Sequence, residues 1–192
     1  MDESDYASLL NAWAAGDAAA GDRLYAAAYE ELKQIARRSL RSQGRGDQLQ
    51  TTMLVNECYL KLVAAGSVEA ATRQHFLALC ARAMRQIIVD SARRQLADKR
   101  GGSDPQHLAL DTFDAVAAQP AQTLSPESVA ALDQALTDIG QREPRLARIA
   151  ECRIFSGMEC AEVALVLGVT ERTVQREWLR VKALLVFALE DR

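Results

Sequence analysis

Arg172 and Arg176 lie four residues apart, with Glu171 and Gln175 beside them, at the start of the stretch ERTVQREWLRVK (171–182). These side-chain types read base edges in a major groove. Arginine pairs two-pronged with guanine, glutamine with adenine, and a glutamate accepts from cytosine. Thr170 stands where an N-cap is needed, and Thr173 follows on the same first turn. Val174 and Trp178 fall on the opposite side, toward a core. Arg180 and Lys182, further along, suit phosphate contacts or solvated charge.

The stretch before it explains how such a helix would be held. In CAEVALVLGVTERTVQREWLRVK (160–182), Ala164 precedes Gly168 by four residues and Val174 follows it by six. A close helix crossing needs a small side chain, a corner tolerating positive φ and a returning apolar contact. The segment reads as a helix-turn-helix facing duplex DNA. The same spacing also fits a plain core corner, and both readings stand on this stretch alone.

A second charge-bearing segment runs from Arg73 to Arg100. Arg73, Arg82, Arg85, Arg93, Arg94, Lys99 and Arg100 face only Asp90 and Asp98 there, whereas the whole chain has a formal charge of −3. A basic stripe on an acidic protein suggests one anionic surface met in one place; a solvated helix face is the ordinary alternative. Phe76, Cys80, Ala83, Met84, Ile87 and Ser91 form one stripe of this helix, and Arg82, Arg85, Val89 and Arg93 lie opposite. One face is expected to pack and the other to point cations outward.

The remaining elements are helical too. With 192 residues, few aromatics and an abundance of Ala, Leu, Arg, Glu and Gln, the chain is expected to be all-α. Periodicity predicts helices over 5–14, 22–40, 51–64 and 73–99, then a linker carrying Gly101, Gly102, Pro105 and Pro120. Ser125-Pro126-Glu127 opens a new helix ending near Gly140, and 143–155 is another. This gives two small helical domains, 1–100 and 125–192, joined by 101–124. Cys58, Cys80, Cys152 and Cys160 form no CxxC pair and read as buried free thiols. His75 and His107 have no ligand-spaced companions. No metal site, cofactor or catalytic set is expected, and no enzyme. The acidic N-terminus lacks a signal-peptide core and no apolar run reaches membrane length, so a cytoplasmic protein away from the membrane is expected.

Taken together, these segments resemble bacterial RNA polymerase sigma factors of the small, extracytoplasmic-function type. LVNECYLKLV (54–63) is similar to that family's polymerase-binding helix, HFLALCARAMRQIIVDSARR (75–94) to its −10-reading helix, and FSGMECAEVALVLGVTERTVQREWLRVKALL (155–185) to its −35 module. The resemblance implies a promoter-specificity subunit that binds core RNA polymerase and promoter DNA. The polymerase contact, on the clamp helices of the largest subunit, would use Leu54, Asn56, Glu57, Tyr59, Leu60 and Lys61. The −10 strand would meet Ser67, Thr72, Arg73, Phe76, Arg82, Arg85, Arg93 and Arg94. The −35 duplex would meet Thr170, Glu171, Arg172, Thr173, Gln175, Arg176, Arg180 and Lys182. Two positions depart from the family pattern: Phe76 stands for the usual Trp and Ala83 for a common Asn.

The lead into the polymerase-binding helix departs as well. Relatives carry several acids there, whereas this chain has Asp47-Gln48-Leu49-Gln50-Thr51-Thr52-Met53. A phosphate on Thr51 or Thr52 would restore charge of about −1.5 to −2 near a helix N-terminus. This points to activation by a Ser/Thr kinase in place of control by an anti-sigma protein; a threonine that merely caps the helix is the simpler alternative. A stand-alone helix-turn-helix regulator binding duplex DNA as a dimer is the competing class.

Overall fold

The computed structural model describes residues 3–41, 48–65, 70, 72–98 and 125–190. Among the described residues, eight helices follow in chain order: α1 (Glu3–Ala14), α2 (Ala18–Arg41), α3 (Gln48–Ala64), α4 (Arg73–Asp98), α5 (Pro126–Arg142), α6 (Pro144–Glu151), α7 (Cys160–Leu167) and α8 (Glu171–Glu190). A π-helical turn, Cys152–Ser156, extends α6. No strand occurs among the described residues, so the all-α expectation is met. The predicted linker at 101–124, His107, Ser67 and Asp47 lie outside the described residues.

Local chemistry places most helix ends. Asp17 caps α2, its Oδ1 accepting from Ala19 N (3.0 Å) and Ala20 N (3.2 Å). Thr72 caps α4 through its hydroxyl to His75 N at 3.2 Å. Ser125 caps α5 by accepting from Ser128 N at 3.2 Å, with Pro126 at the first turn. The α5 helix ends at Arg142, two residues past the Gly140 near which the sequence placed its end. Pro144 is the true break, because the residue before a proline is excluded from the helical region; Glu143 sits at φ −135°, ψ 77°.

The core joins both halves of the chain. Trp13, Leu24, Leu32, Val55, Phe76, Cys80 and Met84 of the first four helices pack in one cluster with Ile149, Cys152, Met158, Val163 and Val174 from beyond residue 125. A second, smaller cluster holds α5, α6 and α8 together through Leu136, Leu146, Phe155, Val181 and Leu185.

Backbone groups left over at helix ends tie the halves as well. The π turn ends on Gly157 at φ +62°, leaving carbonyls turned toward α2. Ser39 Oγ donates to Phe155 O. Arg38 donates to Ser156 O at 3.2 Å and Gly157 O at 3.3 Å. His75, at the start of α4, sits 2.8 Å by its Nε2 from Val166 O of α7.

Candidate nucleic-acid and polymerase interfaces

The α3 helix splits its two faces sharply. Leu54, Val55 and Cys58 are buried inward. Met53, Leu60 and Val63 are 53%, 63% and 45% exposed, with Asn56 and Glu57 exposed beside them. Tyr59 is half-buried and stacks on Tyr25 at 4.4 Å between ring centroids, and its hydroxyl donates to Asp22. Asn56 accepts from Tyr25 Oη at 2.9 Å, and Lys61 approaches Asp90 at 3.9 Å. The exposed apolar strip is therefore Met53–Leu60–Val63.

Two expected positions on α3 need correction. Leu54 is a core residue, 6% exposed, and cannot meet a partner. Thr51 is fully buried, and α3 begins three residues earlier, at Gln48. Thr51 is then neither the N-cap nor within reach of a kinase in this conformation. Thr52 is half-buried on the same turn. Met53 and Val63 were not named among the expected contacts; their spacing from Leu60 by seven and three residues could have marked a second stripe.

The α4 helix does not present a uniform cationic face. Arg82 and Arg94 are exposed. Arg93 is exposed but paired with Asp133 of α5 at 2.9 Å. Arg85 is 8% exposed. Its guanidinium pairs with Asp133 at 2.6 Å and with Glu151 of α6, and lies 5.5 Å from the Phe155 ring centroid. Val89, expected on the same outward face, is buried. The expectation of outward cations therefore fails for Arg85, because the second half of the chain packs against that side of α4. A cleft of about 520 Å³ runs along this seam, lined by Arg82, Gln86, Arg93, Thr137 and Arg148.

Three further residues assigned to the −10 strand have structural duties. Phe76 is 1% exposed, edge-on to Trp13 at 6.3 Å; it is a core residue. Thr72 caps α4. Arg73 pairs with Glu31 of α2, its Nε 3.3 Å from the carboxylate, and its guanidinium lies over Tyr6.

The helix-turn-helix is built as its spacing suggested. Gly168 turns the corner at φ +64°, and Val169 N donates back to Ala164 O at 3.1 Å. Glu159 and Glu162 form a capping box at the start of α7, with Glu159 N donating to Glu162 Oε2 at 2.8 Å. Thr170 caps α8, accepting from Thr173 N at 3.2 Å. Glu171, Arg172, Gln175 and Arg176 are exposed together, and Thr173 is half-buried. Gln175 donates to Glu171 at 3.1 Å, which orders that face.

The inner side of α8 is anchored by Val174, Val181 and Leu185, all buried. Glu177 is buried as well and takes a two-pronged contact from Arg145 of α6, one bond at 2.8 Å. Arg153 lies 5.5 Å over the Trp178 ring. Arg180 is engaged by Glu143 at 2.9 Å, and Lys182 is half-buried. The expected pair Arg172 and Arg176 thus stands free at the solvent face, held by a helix whose other side is locked to α6.

No helix among the described residues is long and apolar enough to cross a membrane. A comparison with curated proteins found no match. The family model for the ECF sigma factor matches residues 3–191. The chain belongs to the ECF sigma factor family, whose members direct core RNA polymerase to promoters and are not in general enzymes.

Proposed function

We propose that three surfaces divide the work of promoter recognition. The Met53–Leu60–Val63 strip of α3, flanked by Asn56 and Glu57, docks on the polymerase clamp helices. Arg82, Arg93 and Arg94 of α4 hold the −10 strand, with phosphate contacts giving salt-sensitive affinity. Glu171, Arg172, Gln175 and Arg176 of α8 read the −35 duplex. On this reading the first module is 1–100 and the second 125–192.

The observation that supports it most strongly is the α8 face. Four residues capable of base readout are exposed on one side, while Val174 and Glu177 fix the other side to the fold. Run-off transcription with core polymerase on a promoter library tests it. Arg172→Ala should abolish −35-dependent transcripts while core binding survives, and a lost bidentate contact should cost about 1–3 kcal/mol of base discrimination. Unchanged promoter choice would refute the assignment.

The same reading includes activation by phosphorylation, now narrowed to Thr52. Its place early in α3, just past the first turn and beside the exposed Met53, supports it, since a phosphate there would supply negative charge at the docking helix. Kinase-treated protein should capture more core polymerase than untreated protein, and Thr52→Ala should remove the gain. Equal capture by all three samples would dismiss it.

A further inference from the structure

Glu171 and Gln175 lie one helical turn apart on the exposed face of α8 and act on one another: Gln175 Nε2 donates to Glu171 Oε1 at 3.1 Å. The backbone beneath them is anchored. Thr170 caps it by accepting from Thr173 N at 3.2 Å, Val174 is fully buried on the inner side, and Arg145 holds Glu177 there. The Gln175 amide is thus tethered on a helix that is itself held in place.

The tether decides what the amide has left to offer. A glutamine carries an acceptor oxygen and an NH2 group with two donors. With one N–H given to Glu171, Gln175 presents the other N–H beside its oxygen. That pattern complements adenine, whose major-groove edge shows the N7 acceptor next to the N6 amino donor. Guanine shows two acceptors there, N7 and O6, and the tethered amide has a single donor for them. The Glu171 carboxylate opposes guanine again, because it too is an acceptor. An untethered glutamine lacks this bias, since its amide turns over freely and both N–H groups are available. Arg172 and Arg176 carry donors alone and suit guanine, so the adenine bias belongs to Gln175.

We propose that Glu171 is a positioning residue for specificity: by holding the Gln175 amide, it makes that side chain select adenine over guanine. Its share in promoter reading is exercised through Gln175 and not on a base of its own. The proposal deepens the reading of α8 as the −35 surface and rests on it. The same chemistry carries a cost. The Glu171 charge repels the phosphates of any duplex, so it weakens binding to every sequence while sharpening the choice at one base pair. A glutamate that only favoured the helix N-terminus would leave that choice untouched.

The test uses the full chain with core polymerase on a template library randomised across the −35 element. The readout is the ratio of adenine to guanine at each position among transcribed templates. The ratio is taken within one sample, so changes in stability or in polymerase capture cancel. Gln175→Ala identifies the position and the strand by removing the adenine preference there. At that position Glu171→Ala should lower the adenine-to-guanine ratio about three- to tenfold, the share of one hydrogen bond. Glu171→Gln, whose amide oxygen still accepts, should retain most of the preference. Adding Glu171→Ala to Gln175→Ala should change nothing further there. A ratio unmoved by Glu171→Ala, with Gln175→Ala effective, would overturn the positioning role and leave the α8 reading standing. A shift at a different position, or one that persists without Gln175, would show that Glu171 reads a base itself and would overturn it likewise. No change in any ratio with Arg172→Ala, Gln175→Ala or Glu171→Ala would bring down the α8 reading and the proposal with it.

Discussion

Glu177 and Arg145 form an unequal pair. The carboxylate side chain is 3% exposed and the guanidinium 57%. Removing each partner therefore has a different consequence. Glu177→Gln keeps the shape and leaves an arginine that water can solvate. Arg145→Ala leaves a carboxylate buried against α6 with no counter-charge. The urea midpoint should fall further for Arg145→Ala than for Glu177→Gln, and the reverse order would show that the pair contributes through packing alone. The buried thiols give a pH dependence. Burial pushes Cys152 up to about 11 from an ordinary value of 9.0, and pushes Cys80 well up too. A raised thiol favours the folded state while protonated, so this stability is complete below pH 9 and is lost as pH rises through about 11. Urea midpoints measured from pH 8 upward should decline over that window. Thiol titration at pH 8 should find Cys160, the partly exposed one, reacting ahead of Cys58, Cys80 and Cys152.

At the scale of the element, two helix ends carry the positions that matter. The Gly168 corner is constrained by conformation alone: an added Cβ would meet nothing within 4 Å. Gly168→Ala should cost about 1–2 kcal/mol, read as a fall in Tm of about 2–8 °C for a chain of this size. Gly157 carries the same left-handed constraint, but its added Cβ would come within 2.7 Å of Arg38 Cδ. Gly157→Ala thus disturbs a tie between the modules as well as the turn. On α3, the two faces separate stability from docking. Leu54→Ala removes a core side chain and should destabilise by about 2–4 kcal/mol. Leu60→Asp alters a residue that is 63% exposed. It should leave the unfolding midpoint nearly unchanged while reducing capture of core polymerase; undiminished capture would remove this strip from the docking surface.

For the whole molecule, the notable fact is a core continuous from Tyr6 to Val174. The sequence suggests two separate packing units, because the apolar periods end before residue 101 and resume at 125. Most helix spans and caps were legible because they depend on neighbours within one turn: Ser125, Thr170 and Gly168 act where their types suggested, whereas Thr72, expected at the −10 strand, caps α4. The exposed face of α8, proposed to read DNA, was legible for the same reason, since polar and apolar residues alternate there at the helical period. The proposed docking strip was half legible: Leu60 was named, while Met53 and Val63 were not.

What the sequence by itself determined about this protein is its helices, their ends, the helix-turn-helix and the family. Each is written in residue type and short-range spacing. Tertiary structure alone decided the fate of individual side chains in those helices. Arg82 and Arg85 are three residues apart on one basic helix, yet one is exposed and the other is buried between two carboxylates. Thr51 and Thr52 are adjacent, yet only the second reaches the surface. Period says which way a side chain points around its own axis. What stands on that side depends on a second helix brought from far along the chain, and no local pattern records its arrival.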